Sequence, residues 1–105
     1  MLLSREEAIG AAAKLAPIAT RLFPGSSVYL FGSYAKGKAK PSSDIDVAII
    51  VPNSDDYDSV DYNKRIGELN LAAYDVNDKI EAIVRESQDC TGFVDIIRST
   101  GIKVA

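Results

Sequence analysis

Residues Leu30 to Val51, LFGSYAKGKAKPSSDIDVAIIV, decide the fold. The last eight, DIDVAIIV, are polar at the start and continuously apolar afterwards, the pattern of a strand covered on both faces. The first two close an earlier apolar run, SSVYLF, whose β-branched and aromatic residues predict another strand. Between them Gly32 and Ser33 open a polar stretch, read as a short helix from Ser33 and then a loop. Residues two apart on a strand share a face and lie roughly 6–7 Å apart. Asp44 and Asp46 therefore present their carboxylates together, with Ile45 and Val47 facing the other way. Like charges at that separation repel and lose hydration. A fold alone gives no reason to accept that cost.

Outward from this stretch, helices and strands alternate. Ser4 and Glu7 fit a capping box, and Ala8, Ala12, Leu15, Ala19 and Leu22 form one helical stripe. Pro17 inside the stripe is expected to kink or divide that helix, since it has no amide to donate. Pro24-Gly25 closes it as a turn. Pro52 to Asp61, PNSDDYDSVD, reads as an acidic, solvated connection. A second amphipathic helix is expected from about Tyr62 to Val76, with Tyr62, Ile66, Leu69, Ala73 and Val76 inward. KIEAIVRE reads as a third strand. A last helix, Phe93 to Thr100, turns Phe93, Ile96 and Ile97 inward and stops at Gly101 as its C′ residue. IKVA adds an edge strand. This order predicts an α/β fold, a small mixed β-sheet packed with helices.

Composition narrows the chemistry. The 105 residues suit one domain spanning 1–105. Cys90 is the one cysteine, so no internal disulfide forms; a buried small hydrophobe in a reducing cytoplasmic setting is the expectation. The chain has no histidine, which removes Ser-His-Asp and Cys-His catalysis and the usual zinc sites. A formal charge of −3 argues against direct nucleic-acid binding. No apolar run approaches the roughly 20 residues that span a bilayer, and the N-terminus lacks the basic start of a signal peptide. Carboxylates, hydroxyls and lysines remain, with bound metal. A divalent cation removes the repulsion between Asp44 and Asp46, and Mg2+ prefers one or two carboxylates plus phosphates. Gly32 allows close approach of backbone and substrate, and Ser33 offers a hydroxyl and nearby amides to an anion.

Gly32-Ser33, ten residues, then Asp44-Ile45-Asp46 resembles the G-S-x(10)-D-x-D signature of the DNA polymerase beta-like nucleotidyltransferase superfamily. Ser43 before the first aspartate and the apolar strand after the second also agree. The short chain resembles the minimal nucleotidyltransferase (MNT) branch over essentially its whole length. The resemblance implies a polymerase beta-like fold and two Mg2+ ions held by Asp44, Asp46 and a third carboxylate. Glu81 in KIEAIVRE matches that third position, where the family more often has aspartate; Asp78, just before the strand, is the rival. It further implies ATP as substrate, with Gly32 and Ser33 holding its β and γ phosphates. Lys36 and Lys40 can help with phosphate charge or remain solvated. Tyr34 is a packing or surface residue.

Three functions follow from the resemblance. One is transfer of AMP from ATP to a hydroxyl, with a tyrosine of a helical HEPN toxin as acceptor and this chain as antitoxin. Another is an antitoxin that neutralises its partner by contact alone. The last is nucleotidyl transfer to a small molecule or RNA. Oligomeric state stays open.

Overall fold

The computed structural model describes residues 2–105. Helix α1 (Arg5–Leu22) leads into strand β1 (Ser27–Phe31), helix α2 (Gly32–Lys36) and strand β2 (Ile45–Val51). A 3-10 turn at Ser54–Asp56 precedes helix α3 (Ser59–Val76), strand β3 (Ile80–Glu86), helix α4 (Phe93–Thr100) and strand β4 (Ile102–Lys103). The strands form one sheet in the order β3-β2-β1-β4. β1 runs antiparallel to both β2 and β4, and β2 runs parallel to β3. The sheet is therefore mixed, as expected.

Ladder partners share a face, so the register sorts the side chains. Val28, Leu30, Ile45, Val47, Ile49 and Val51 turn to the side covered by α1 and α3, where Ala8, Ala12, Leu15, Leu69 and Ala73 complete the larger core. Ala48 and Ile50 turn to the other side and pack on Val94 and Ile97 of α4. β2 is thus apolar throughout after Asp46 because it is covered twice. The two coverings are unequal. Two 18-residue helices roof one face, and the eight residues of α4 roof the other.

The Ser4–Glu7 capping box forms, with Glu7 N–H donating to Ser4 Oγ and Ser4 N–H to Glu7 Oε1, both at 3.0 Å. All five residues of the α1 stripe are buried. Several expectations need correction. Pro17 does not divide α1, which runs unbroken to Leu22. Burial of Ala19 and Leu22 on the far side of the proline outweighs one missing hydrogen bond. α3 starts three residues earlier than its stripe suggests, because the Asp58 side chain accepts from Asp61 N–H at 2.7 Å as an N-cap. The acidic connection is solvated at Asp55, Asp56 and Asp58 but anchored at Tyr57, whose ring lies 5.6 Å from Phe23 edge-on. In α4 Val94 and Ile97 are buried and Phe93 packs beside them as expected, but Ile96 is 55% exposed. Gly101 is not a left-handed C′ residue; its φ is −85°. Glycine is needed there because a Cβ would meet the Ile97 carbonyl oxygen at 2.6 Å and that of Leu30 at 3.0 Å. Cys90 is exposed rather than buried. No helix among the described residues is long and apolar enough to cross a membrane.

Candidate active site

β1, α2, β2 and β3 position the candidate residues, all near the sheet end where β2 and β3 begin. Asp46 stands opposite Phe31 in β1 and opposite Glu81 in β3. Asp46 and Glu81 consequently project from the same face, the thinly roofed one. Asp44 immediately precedes β2, where Ile45 N–H donates to the Lys79 carbonyl at 2.8 Å and starts the ladder. Asp44 and Glu81 are exposed and Asp46 is half-buried.

Electrostatics ties the three acids together. Burial, then the charge of Glu81, then that of Asp44 push the Asp46 carboxyl up from 3.8 to about 6. Each cause disfavours negative charge at that point. The expected cost of the paired aspartates is therefore present, and Glu81 adds to it.

Gly32 approaches this carboxylate from β1. It has φ +74°, a left-handed conformation that favours glycine. A Cβ on Gly32 would collide with Asp46 Oδ2 and lie 3.2 Å from its Cγ. Glycine is required twice over, by backbone conformation and by contact. Ser33 is half-buried beside it, in a helix whose start has no side-chain cap. Lys36, Lys38 and Lys40 are exposed, and none forms a salt bridge among the described residues.

Sequence reasoning missed what holds this turn in place. Tyr34 is buried, and its hydroxyl accepts from Leu3 N–H at 3.4 Å. Arg5 Nη2 donates to the Ala35 carbonyl at 2.8 Å, so the first residues of the chain support α2 from below. Lys79 Nζ donates to the Pro41 carbonyl at 3.0 Å and lies 6.0 Å from the Tyr34 ring. Ser43 closes the loop into Asp44, its Oγ accepting from Lys40 N–H at 2.8 Å while its own amide donates to the Lys40 carbonyl. Only Ser43 carried a signal in the sequence. The other contacts span about 30 to 40 positions.

The donor set suits a hard divalent cation: carboxylate oxygens without thiolate or imidazole. The raised Asp46 carboxyl fits as well, since a cation would offset both the burial and the neighbouring charges that raise it. The three acids are not drawn to one point, however, and no group of three such donors at ligating distance occurs among the described residues. Asp78, the rival third carboxylate, is exposed in the turn ahead of β3 and has no ladder partner in β2. A cavity of about 550 Å3 between Tyr62, Val84, Glu86 and Phe93 lies at the opposite end of β3. The candidate carboxylates lie outside it, on the open sheet.

A family model described as "Nucleotidyltransferase domain" matches residues 12–104. The chain belongs to the nucleotidyltransferase domain family. Solved structures share the fold. A candidate nucleotidyltransferase from Sulfolobus solfataricus is 22% identical with a TM-score of 0.58, over 98% of this chain and 87% of that one. A toxin–antitoxin structure with AMP-PNP is 20% identical with a TM-score of 0.61, over 88% of this chain and 70% of that one. A toxin–antitoxin MntA–HpeT mutant, carrying two aspartate-to-glutamate changes two residues apart, is 16% identical with a TM-score of 0.60. That match covers 98% of this chain and 73% of its counterpart. No curated protein sequence matches the chain. In this nucleotidyltransferase, the motif that carried the resemblance, Gly32-Ser33 and Asp44-Ile45-Asp46, lies within the matched residues.

Proposed function

We propose that this nucleotidyltransferase transfers AMP from ATP to a hydroxyl group of a protein partner, acting as the antitoxin of a toxin–antitoxin pair. The observation that carries the reading is the packing of Gly32 against the Asp46 carboxylate, on the face that also presents Asp44 and Glu81. That contact sets the Gly32-Ser33 turn directly beside the Asp46 carboxylate. Toxin–antitoxin neighbours, one of them with AMP-PNP, support the cellular role. A tyrosine of a HEPN-type toxin is the acceptor that the MNT resemblance favours.

In the proposed reaction the acceptor oxygen forms a bond to the α-phosphorus, the bond from that phosphorus to the β-bridging oxygen breaks, and pyrophosphate leaves. Asp44 and Asp46 would hold Mg2+, which leaves Glu81 to act as base. Bound there, Mg2+ neutralises phosphate charge and acidifies the acceptor hydroxyl. Gly32 and Ser33 would hold the β and γ phosphates, the first by letting the turn lie against the Asp46 carboxylate and the second through its hydroxyl and uncapped amides. Glu81, exposed at the edge of the group, takes the proton from the acceptor. Lys36 adds positive charge at the far end of α2.

Incubation with α-labelled ATP and Mg2+, with and without the purified product of the adjacent reading frame, tests this. Label enters the neighbour with the wild-type chain and not with Asp44→Asn. Labelling that persists in the mutant sinks the assignment. A second reading, neutralisation by contact alone, is favoured by the separation of the three acids; it predicts complex formation with no labelling at all.

A further inference from the structure

We propose that the outer face of α3 is a docking surface for a partner helix whose apolar seam is bordered by lysine or arginine. The inference stands apart from the carboxylate site, which lies on the opposite side of the sheet. α3 buries Leu69 and Ala73 against the core. Half a turn round the helix, Val60, Lys64, Gly67, Leu71 and Tyr74 follow at spacings of four, three, four and three. That is the alternation of a coiled-coil seam. Five large apolar side chains are exposed among the described residues, and three of them lie in this seam: Val60 at 78%, Leu71 at 71% and Tyr74 at 68%. Lys64 occupies the position between Val60 and Leu71, and a lysine stem is long and apolar enough to continue the seam.

Gly67 is the second observation. It sits mid-helix and exposed, where glycine weakens a helix relative to alanine. A Cβ there would have nothing within 4 Å. Nothing inside the chain requires the glycine, whereas a helix laid across the seam would use it to approach more closely than the usual 8–10 Å between axes.

Charge selects the occupant. One edge of the seam carries Asp61, Glu68 and Asp75 at heptad spacing, and Asp55, Asp56 and Asp58 continue the acidic surface past the start of the helix. The opposite edge carries Asn63 and Asn70, which are neutral. Arg65 is turned inward, donating to Asp61 at 3.1 Å and to the Leu22 carbonyl at 2.6 Å. A second copy of this chain is disfavoured either way. Antiparallel pairing sets Glu68 against Glu68, and parallel pairing stacks Lys64 on Lys64. A basic-edged helix meets neither penalty.

Two synthetic amphipathic helices test this, sharing a leucine seam and bordered either by lysine or by glutamate. Each is titrated into the full-length 15N-labelled chain while amide shifts are followed. The lysine-bordered helix should shift amides along the outer face of α3, and the glutamate-bordered one should not. Leu71→Glu should weaken the first at least tenfold, although it adds a negative charge and would strengthen mere electrostatic adhesion. Gly67→Gln should weaken it equally while raising the melting temperature, which separates loss of docking from loss of fold. Shifts elsewhere, equal response to both peptides, no response, or a self-dimer broken by Leu71→Glu would each overturn the proposal.

Discussion

Replacing Asp46 by asparagine should remove the proposed chemistry and stabilise the protein. The sign follows from the direction of its shift. An ordinary aspartate titrates near 3.8, and burial with Glu81 and Asp44 nearby takes the folded-state value to about 6. Below 3.8 the carboxyl is neutral in folded and unfolded chains alike. Between 3.8 and about 6 the folded chain holds a proton that the unfolded chain releases, so stability falls as pH rises through that window. Above it the full loss is present, about 3 kcal/mol if the whole gap counts. Asp46 is only half-buried, and solvent screening brings the figure to about 1–2 kcal/mol. Asparagine keeps the shape and never ionises. For a domain of this size its advantage corresponds to a melting temperature roughly 4–8 °C higher at pH 8. At pH 4 the advantage should shrink several-fold, since the folded wild-type carboxyl is then protonated. Thermal denaturation followed by circular dichroism in chelator, at both pH values, measures it. An Asp46→Asn protein that melts below wild type at pH 8, or by the same margin at both pH values, refutes the reasoning.

Four further outcomes are expected. Gly32→Ala should cost about 1–3 kcal/mol, from the left-handed backbone and the contact with Asp46, and should lower nucleotidyl transfer more than tenfold; denaturant melts and labelled ATP read the two effects. Glu81→Gln should reduce transfer by roughly 10²–10⁴, the range for loss of an acid–base group, while Asp78→Asn stays near wild type in the same assay. Millimolar Mg2+ should raise the melting temperature of wild type and leave that of Asp46→Asn unmoved, by differential scanning fluorimetry. Ile49→Ala should cost about 2–5 kcal/mol in a urea titration, because Ile49 is fully buried beneath α1 and α3.

Local periodicity made most elements legible. The stripe of α1, the doubly covered strand β2 and the capping box are each set by residues within a few turns of one another. The GS and DID pattern made the site legible too, because residues on one strand share a face whatever surrounds them. What stayed hidden depends on distant partners. The register that places Glu81 beside Asp46 comes from parallel pairing of strands 35 positions apart. Neither residue type encodes it. Ile96 and Val94 are equally apolar, and only the placement of α4 on the sheet decides which is covered. Pro17 breaks a local rule that the buried face of α1 overrides. Gly101 looks like a helix stop by type, yet its role is set by two carbonyls, that of Ile97 in its own helix and that of Leu30 in β1.

The short roof over one side of the sheet has a last consequence. Eight residues of helix shelter Ala48 and Ile50 and go no further, so Asp44, Asp46 and Glu81 sit on a ledge rather than in a pit. A ledge sets no upper limit on the size of what lands on it and offers little shape by which to choose. Under the proposed transfer, selectivity is a matter of delivery: whichever molecule is held nearby with a hydroxyl in reach would become the acceptor.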